Sequence, residues 1–166
     1  MSHIFILRGV RLFFILIMLS TTLQAFDQTY TDAFSSRKVR ITLPAQAESI
    51  RGILFIGNGA GGDASGEAVH AHKRVWADKH AFAIAATGFF SRFQSGTSGD
   101  DWRVLQDALS QAALDSGHPE LLQAPFLNHG FSNGGQMAYG LARLQPDRTL
   151  AFLVNKGGFY ETSIGS

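Results

Sequence analysis

The residues best suited to chemistry are Gly130-Phe131-Ser132-Asn133-Gly134, a G-x-S-x-G pattern between an apolar run ending at His129 and a helical pattern opening at Asn133. A serine hydroxyl that attacks a carbonyl has to project from a sharp strand-to-helix turn, where the backbone is strained and close neighbours must lack side chains. Gly130 and Gly134 meet that need. The N-terminus of the following helix favours negative charge on an attacked carbonyl oxygen. Ser132 is therefore the candidate nucleophile, and the backbone N–H of Asn133 is a candidate oxyanion donor. Gly135 would let the helix pack closely on its strand. A glycine-rich turn with an ordinary capping serine is the competing reading of the same five residues.

A second glycine cluster, Gly57 to Gly62 (GNGAGG), follows the apolar run Ile53 to Ile56. Gly57, Gly59 and Gly62 satisfy G-x-G-x-x-G, the pattern of a dinucleotide-binding turn. That chemistry needs a helix opening at once and a carboxylate about 20 residues on, at the end of the next strand. Here Asp63-Ala64-Ser65-Gly66 delays the helix, and the next apolar run ends Ala85-Ala86-Thr87 with no acid. A GK[ST] phosphate loop is absent. No cofactor is expected. A flexible turn without function is the remaining alternative.

The elements that position these turns follow from hydrophobic periodicity. Lys38 to Leu43 alternates, which predicts a half-buried strand stopped by Pro44. Residues 26–37 are polar and without period, which predicts an extended lead-in. Ile50 to Ile56 is almost continuously apolar after Arg51, as in a strand covered on both faces of a parallel sheet. Glu67 to His80 reads as a helix with Ala68, Ala71, Val75 and Trp76 on one side. A strand at Phe82 to Ala86 and a loop at Gly88 to Gly99 follow. The next helix runs from a cap at Asp100 or Asp101 to Ser116, with Trp102, Leu105, Leu109 and Ala113 on a stripe. Ala124 to His129 is a strand, Asn133 to Leu144 a helix stopped before Pro146, and Thr149 to Val154 a strand. This alternation predicts an α/β fold with a parallel sheet, right-handed crossovers and helices on both faces. Both glycine turns then fall at the carboxyl ends of strands, where such sheets collect their chemistry.

The stretch NHGFSNGGQMAYGLARLQPDRTLAF resembles the nucleophile elbow of secreted α/β-hydrolase-fold esterases. It is most similar to the polyhydroxybutyrate-depolymerase and feruloyl-esterase-like group, in which G-x-S-N/A-G-G is followed by a helix, a Pro-Asp and a strand. The similarity is specific over residues 124–158 and vaguer over residues 50–116. It implies a parallel-sheet α/β-hydrolase fold and hydrolysis of a small-molecule or polymeric ester through an acyl-enzyme on Ser132. It also makes Gly57–Gly62 the turn after the third strand, with Asn58-Gly59 where many relatives carry His-Gly. The backbone N–H of Ala60 would then be the second oxyanion donor beside Asn133. Gly59, Phe131 and Lys156 would line the substrate site.

A serine nucleophile needs a base and a carboxylate that orients it, and in this fold they follow in the order Ser, Asp/Glu, His. After Ser132 the sequence holds only Asp147 and Glu161 as acids, and no histidine. Asp147, between a helix and the following strand, falls at the far side of the sheet; Glu161 is a fallback. His70, His72 and His80 lie on a predicted helix, His118 sits in a loop, and His129 ends a strand and should point away from the elbow. His70 and His72 should face different sides of their helix, and no metal-ligand spacing occurs. The expected fold is incomplete at its C-terminus, with the acid and histidine missing.

Composition narrows the classes further. The chain has 166 residues, net charge +1, and no cysteine, which removes disulfides, thiolate nucleophiles and Cys-based zinc sites. It has no Lys/Arg run, so nucleic acid is not an expected partner. Arg8 and Arg11 precede the apolar run Leu12 to Leu19, and small and polar residues lead to Ala25. These mark a signal peptide over residues 1–25 and a secreted or periplasmic protein with no stable membrane span after processing. Residues 26–166 would form the partial hydrolase domain. A catalytically inactive, hydrolase-like binding module and, more distantly, a dinucleotide-binding enzyme are the alternative functions.

Overall fold

The computed structural model describes residues 25–91 and 99–157. The expected signal peptide, most of the 88–99 loop, Gly158 and Glu161 lie outside the described residues. Six strands form one sheet: β1 (Asp27–Thr31), β2 (Lys38–Thr42), β3 (Gly52–Gly57), β4 (Phe82–Gly88), β5 (Phe126–Phe131) and β6 (Thr149–Asn155). Their spatial order is β1-β2-β4-β3-β5-β6. The pairs β3·β4, β3·β5 and β5·β6 are parallel, whereas β1·β2 and β2·β4 are antiparallel. Three α-helices connect the parallel strands: α1 (Ala71–His80), α2 (Gly99–Ser116) and α3 (Asn133–Leu144).

Alternation along the strands divides the core between two faces. On one face Ile41, Ile53, Phe55, Ala83, Ala85 and Phe126 pack against Leu105 and Leu109 of α2 and Met137 and Leu141 of α3. On the other, Leu54, Ile56, Ile84 and Ala86 meet Ala68 and Ala77, with Trp76 and Leu127 alongside. β3 is buried at all six positions, as its unbroken apolar character predicts. Leu105, Leu109 and Ala113 of the expected α2 stripe are buried, with Trp102 half-buried beside them.

Three local expectations give way. The polar lead-in contains a true strand, β1, paired residue by residue with β2. It lacks alternation because it is an edge strand with neither face well covered. The expected helix from Glu67 is broken: Ser65–Val69 is a 3-10 turn, His70 is extended (φ −64°, ψ 126°), and α1 begins at Ala71. The break resets the helical phase, so Val75 faces solvent and Ala77 is buried instead. It also brings the His70 and His72 rings to 4.2 Å, because His70 precedes the helix and is not two positions along it. Lastly, Asp101 lies inside the first turn of α2, fully buried.

Candidate active site

The elbow is built by backbone contact. Ser132 joins β5 to α3 with φ 56° and ψ −122°, a left-handed conformation strained for a residue with a Cβ. Its N–H donates to the Asn155 carbonyl of β6 at 2.8 Å, and its own carbonyl accepts the Gly135 N–H at 2.9 Å. Its side chain makes no capping hydrogen bond to α3. An ordinary capping serine uses its oxygen to satisfy an N–H of the first helical turn; Ser132 does not.

The flanking glycines are required by space. A Cβ on Gly130 would overlap the Gly134 carbonyl, and one on Gly134 would overlap the Gly57 carbonyl. A Cβ on Gly57 would stand 2.7 Å from the Gly134 oxygen. The end of β3 and the first turn of α3 are thus packed backbone to backbone, which carries the 58–62 turn against the elbow. Gly135 faces β6, where a Cβ would stand 2.8 Å from the Val154 side chain.

The residues expected around Ser132 occupy this same edge of the sheet. Asn133 opens α3, where its N–H has no acceptor one turn back. Ala60 is exposed in the turn after β3, and Gly59 accepts the Gly62 N–H at 2.9 Å within that turn. Phe131 ends β5 and is half-exposed. Lys156 follows β6 with φ 53° and is exposed. Asp147 precedes β6, at the opposite end of that strand from Ser132.

Asn58 is fully buried, and its side chain is a tie between loops. Its Nδ2 donates to the Gly59 carbonyl at 2.7 Å and to the Phe90 carbonyl at 3.1 Å, while its Oδ1 accepts the Phe90 N–H at 3.2 Å. The Thr87 hydroxyl accepts the Asn58 N–H at 3.1 Å and lies 2.9 Å from Asn58 Oδ1. The next residue, Ser91, donates its N–H and its hydroxyl to Asp101 Oδ2 at 3.2 and 2.9 Å. Asp101 in turn pairs with Arg37 at 2.5 Å. Asn133 Nδ2 completes the chain by donating to the Ser91 carbonyl at 2.6 Å. Phe90-Ser91 therefore holds both Asn58, ahead of the Gly59-Ala60 turn, and Asn133, directly after Ser132. Neither Asn58 nor Asp101 is marked as a tie by its own spacing; a polar residue between two glycines after a buried strand is the faint sign of the first.

A cavity of about 330 Å³ opens beside the elbow, between the 57–62 turn and the end of β5. His129 lines it together with Gly57, Gly59, Gly130 and Phe131, whereas Ser132 is not among the lining residues. The reason is the pleat: His129 shares the α1 face of β5 with Leu127, and the turn containing Glu67 lies over that face. Burial, aided by the Lys73 ammonium, pushes the His129 imidazole below the usual histidine range, against the pull of Glu67. The Lys73 hydrogen bond, 2.6 Å long, holds Glu67 below the usual carboxylate range despite partial burial. His70 and His72 are exposed, His80 stacks on Trp76 at 4.9 Å, and His118 pairs with Glu120 at 2.8 Å. Among the described residues no three His, Asp or Glu side chains are grouped to hold a metal, and no helix is long and apolar enough to cross a membrane.

No protein-family model matches the chain, and no curated protein matches it by sequence. Solved structures do. An acetyl xylan esterase from Aspergillus awamori superimposes with a TM-score of 0.59 at 16% identity, covering 82% of this chain and 55% of that one. Poly(aspartic acid) hydrolase-1 from Sphingomonas sp. KT-1 gives 0.58 at 18% identity, covering 82% and 57%. FphF, a fluorophosphonate-binding serine hydrolase of Staphylococcus aureus, gives 0.52 at 13% identity, covering 78% and 55%. The chain has the α/β-hydrolase fold, and it spans little more than half the length of these structures.

Proposed function

We propose that this chain carries the nucleophile and oxyanion donors of an exported serine hydrolase that cleaves carboxylic esters through an acyl-enzyme on Ser132. The observation that carries the proposal is the Ser132 backbone: a non-glycine residue at φ 56°, not used as a helix cap, on a turn whose glycine neighbours are in contact. Strain of this kind persists where surrounding structure imposes it, and it clusters at reactive sites. The solved neighbours named as esterases and serine hydrolases point to the same chemistry.

In the proposed reaction Ser132 Oγ forms a bond to the ester carbonyl carbon as its proton leaves to a base. The carbonyl oxygen gains the negative charge and accepts hydrogen bonds from the N–H groups of Asn133 and Ala60. Collapse of the tetrahedral intermediate breaks the carbon–alcohol oxygen bond, and the alcohol leaves with the proton. Water then cleaves the acyl-enzyme and restores the hydroxyl. Gly59, Phe131 and Lys156 border the substrate. No histidine follows Ser132 in the sequence, and the test of this proposal supplies imidazole as the base.

The export proposal rests on residues 1–25, the expected signal peptide. A chain beginning at Phe26 keeps the whole of β1 and the Phe26 carbonyl that accepts the Leu43 N–H at 3.1 Å. N-terminal sequencing of the exported protein is expected to start near Phe26.

Turnover of p-nitrophenyl acetate by the wild type and by Ser132→Ala, each with imidazole added as the base, tests the activity. A nucleophile lost from an intact oxyanion site removes most of the acceleration. Equal turnover by the two proteins would point to the inactive binding module instead.

A further inference from the structure

We propose that Ser91 and Asp101 are positioning residues for the Ser132 reaction, acting through the Asn133 side chain to hold the Asn133 N–H for the developing oxyanion. The proposal rests on Ser132 being the nucleophile and on the Asn133 N–H being an oxyanion donor. Asn133 is the first residue of α3 and is followed by two glycines, Gly134 and Gly135. Helix ends fray and glycine adds backbone freedom, so this turn is poorly suited to hold a donor still by itself. The neighbours of Asn133 are fixed by backbone contacts. Ser132 is hydrogen-bonded to Asn155 and Gly135, Gly134 lies against Gly57, and Gly135 faces Val154. Asn133 is fixed by its side chain: Nδ2 donates to the Ser91 carbonyl at 2.6 Å and lies 3.7 Å from Met137 Sδ.

The acceptor is itself anchored. The Ser91 N–H and hydroxyl both donate to Asp101 Oδ2, at 3.2 and 2.9 Å. Asp101 is fully buried in the first turn of α2 and paired with Arg37, which holds its carboxylate in place. Phe90, just before Ser91, is bonded through its N–H and its carbonyl to the buried Asn58 side chain. The Ser91 carbonyl is thus referenced to α2 and to the end of β3, the strand end that packs on Gly134. Magnitudes separate a positioning role from a structural one. One neutral hydrogen bond at an exposed site adds little to stability, whereas a displacement of about 1 Å at a reacting group costs roughly 100-fold in rate. Loss of the Asn133–Ser91 bond is therefore expected to show in the rate far more than in the stability.

The test follows phosphonylation of Ser132 by a fluorophosphonate, with imidazole added as the base, by intact mass over a range of probe concentrations. This gives a maximal rate and a half-saturating concentration, and urea unfolding gives the stability of each variant. Asn133→Ala should lower the maximal rate about 10-fold or more, with the half-saturating concentration and the urea midpoint near those of the wild type. Asn133→Asp, which keeps the shape but cannot donate when ionised, should be at least as slow. Ser91→Ala and Asp101→Asn should each lower the rate about 3-fold in the wild type and not at all in Asn133→Ala, because both act through Asn133. A wild-type rate in Asn133→Ala or Asn133→Asp, a fall in rate matched by a fall in urea midpoint, or equal losses in the two backgrounds would overturn the proposal. These outcomes leave the nucleophile standing. A wild type whose Ser132 is not modified refutes the nucleophile itself, and the positioning roles fall with it.

Discussion

The two glycine clusters at the carboxyl edge of the sheet look alike as sequence and behave differently as structure. In the elbow, Gly130 and Gly134 are glycine because another backbone occupies the place of the Cβ. In the turn after β3 only Gly57 is confined in that way; Gly59 and Gly61 face open space, and Gly61 alone needs its glycine for a positive φ of 62°. The elbow is rigid because its backbones touch. The turn is fixed from behind, by the buried Asn58 side chain and its bonds to Phe90 and Thr87. The candidate nucleophile and the turn proposed to hold an oxyanion donor thus depend on two kinds of support, close packing for one and a polar tie for the other.

Substitutions can break this contrast at either end. The largest effect is expected for Gly130→Ala, where the added methyl meets a helix backbone that cannot yield. Overpacking costs typically 1–3 kcal/mol, and a loss of about 3 kcal/mol or more is expected by urea unfolding. Asp101→Ala should come next, with a loss of about 3 kcal/mol, because it leaves Arg37 without its buried partner. Asn58→Ala removes the bonds from the Asn58 side chain to Phe90 and Thr87, for about 2 kcal/mol by the same measurement. Gly59→Ala should change stability by less than about 0.5 kcal/mol. A large loss at Gly59, or none at Gly130, would erase the distinction between the two clusters.

The smallest effect concerns pH. The folded state holds the His129 imidazole below its unfolded value, so the unfolded chain binds the proton more readily. Stability from this group is present above roughly pH 6.5 and is lost as the pH falls toward the folded value. His129→Gln should therefore flatten the decline of melting temperature between neutral and mildly acidic buffers, and an unchanged decline would show that the ring is not held neutral.

The elements most legible in the sequence are those whose period and stops agree. Asn133–Leu144 is a helix from end to end, opened after the glycine elbow and closed before Pro146. β3 is legible because both its faces are buried. β1 is not, because an exposed edge strand is held by its partner's backbone and leaves no hydrophobic period. The break at His70 escapes for a similar reason. The Ala64 N–H is taken by the Thr87 carbonyl at 2.9 Å, a bond across 23 residues that no local pattern encodes. Within the site, the glycines and Ser132 stand out by spacing alone. The Asn58 and Asp101 ties do not, since their partners come from other loops brought near only by the sheet. His129 stands at a strand end, and only the turn carrying Glu67 shows which side of the strand holds the cavity.

The most direct test of Ser132 as nucleophile is covalent capture. The protein is treated with a fluorophosphonate probe, with and without added imidazole as a substitute base, and the adduct is located by peptide mass spectrometry. The adduct is expected on Ser132, formed faster with imidazole and absent from Ser132→Ala. Failure to modify Ser132 under either condition, or an adduct that persists in Ser132→Ala, would contradict the account.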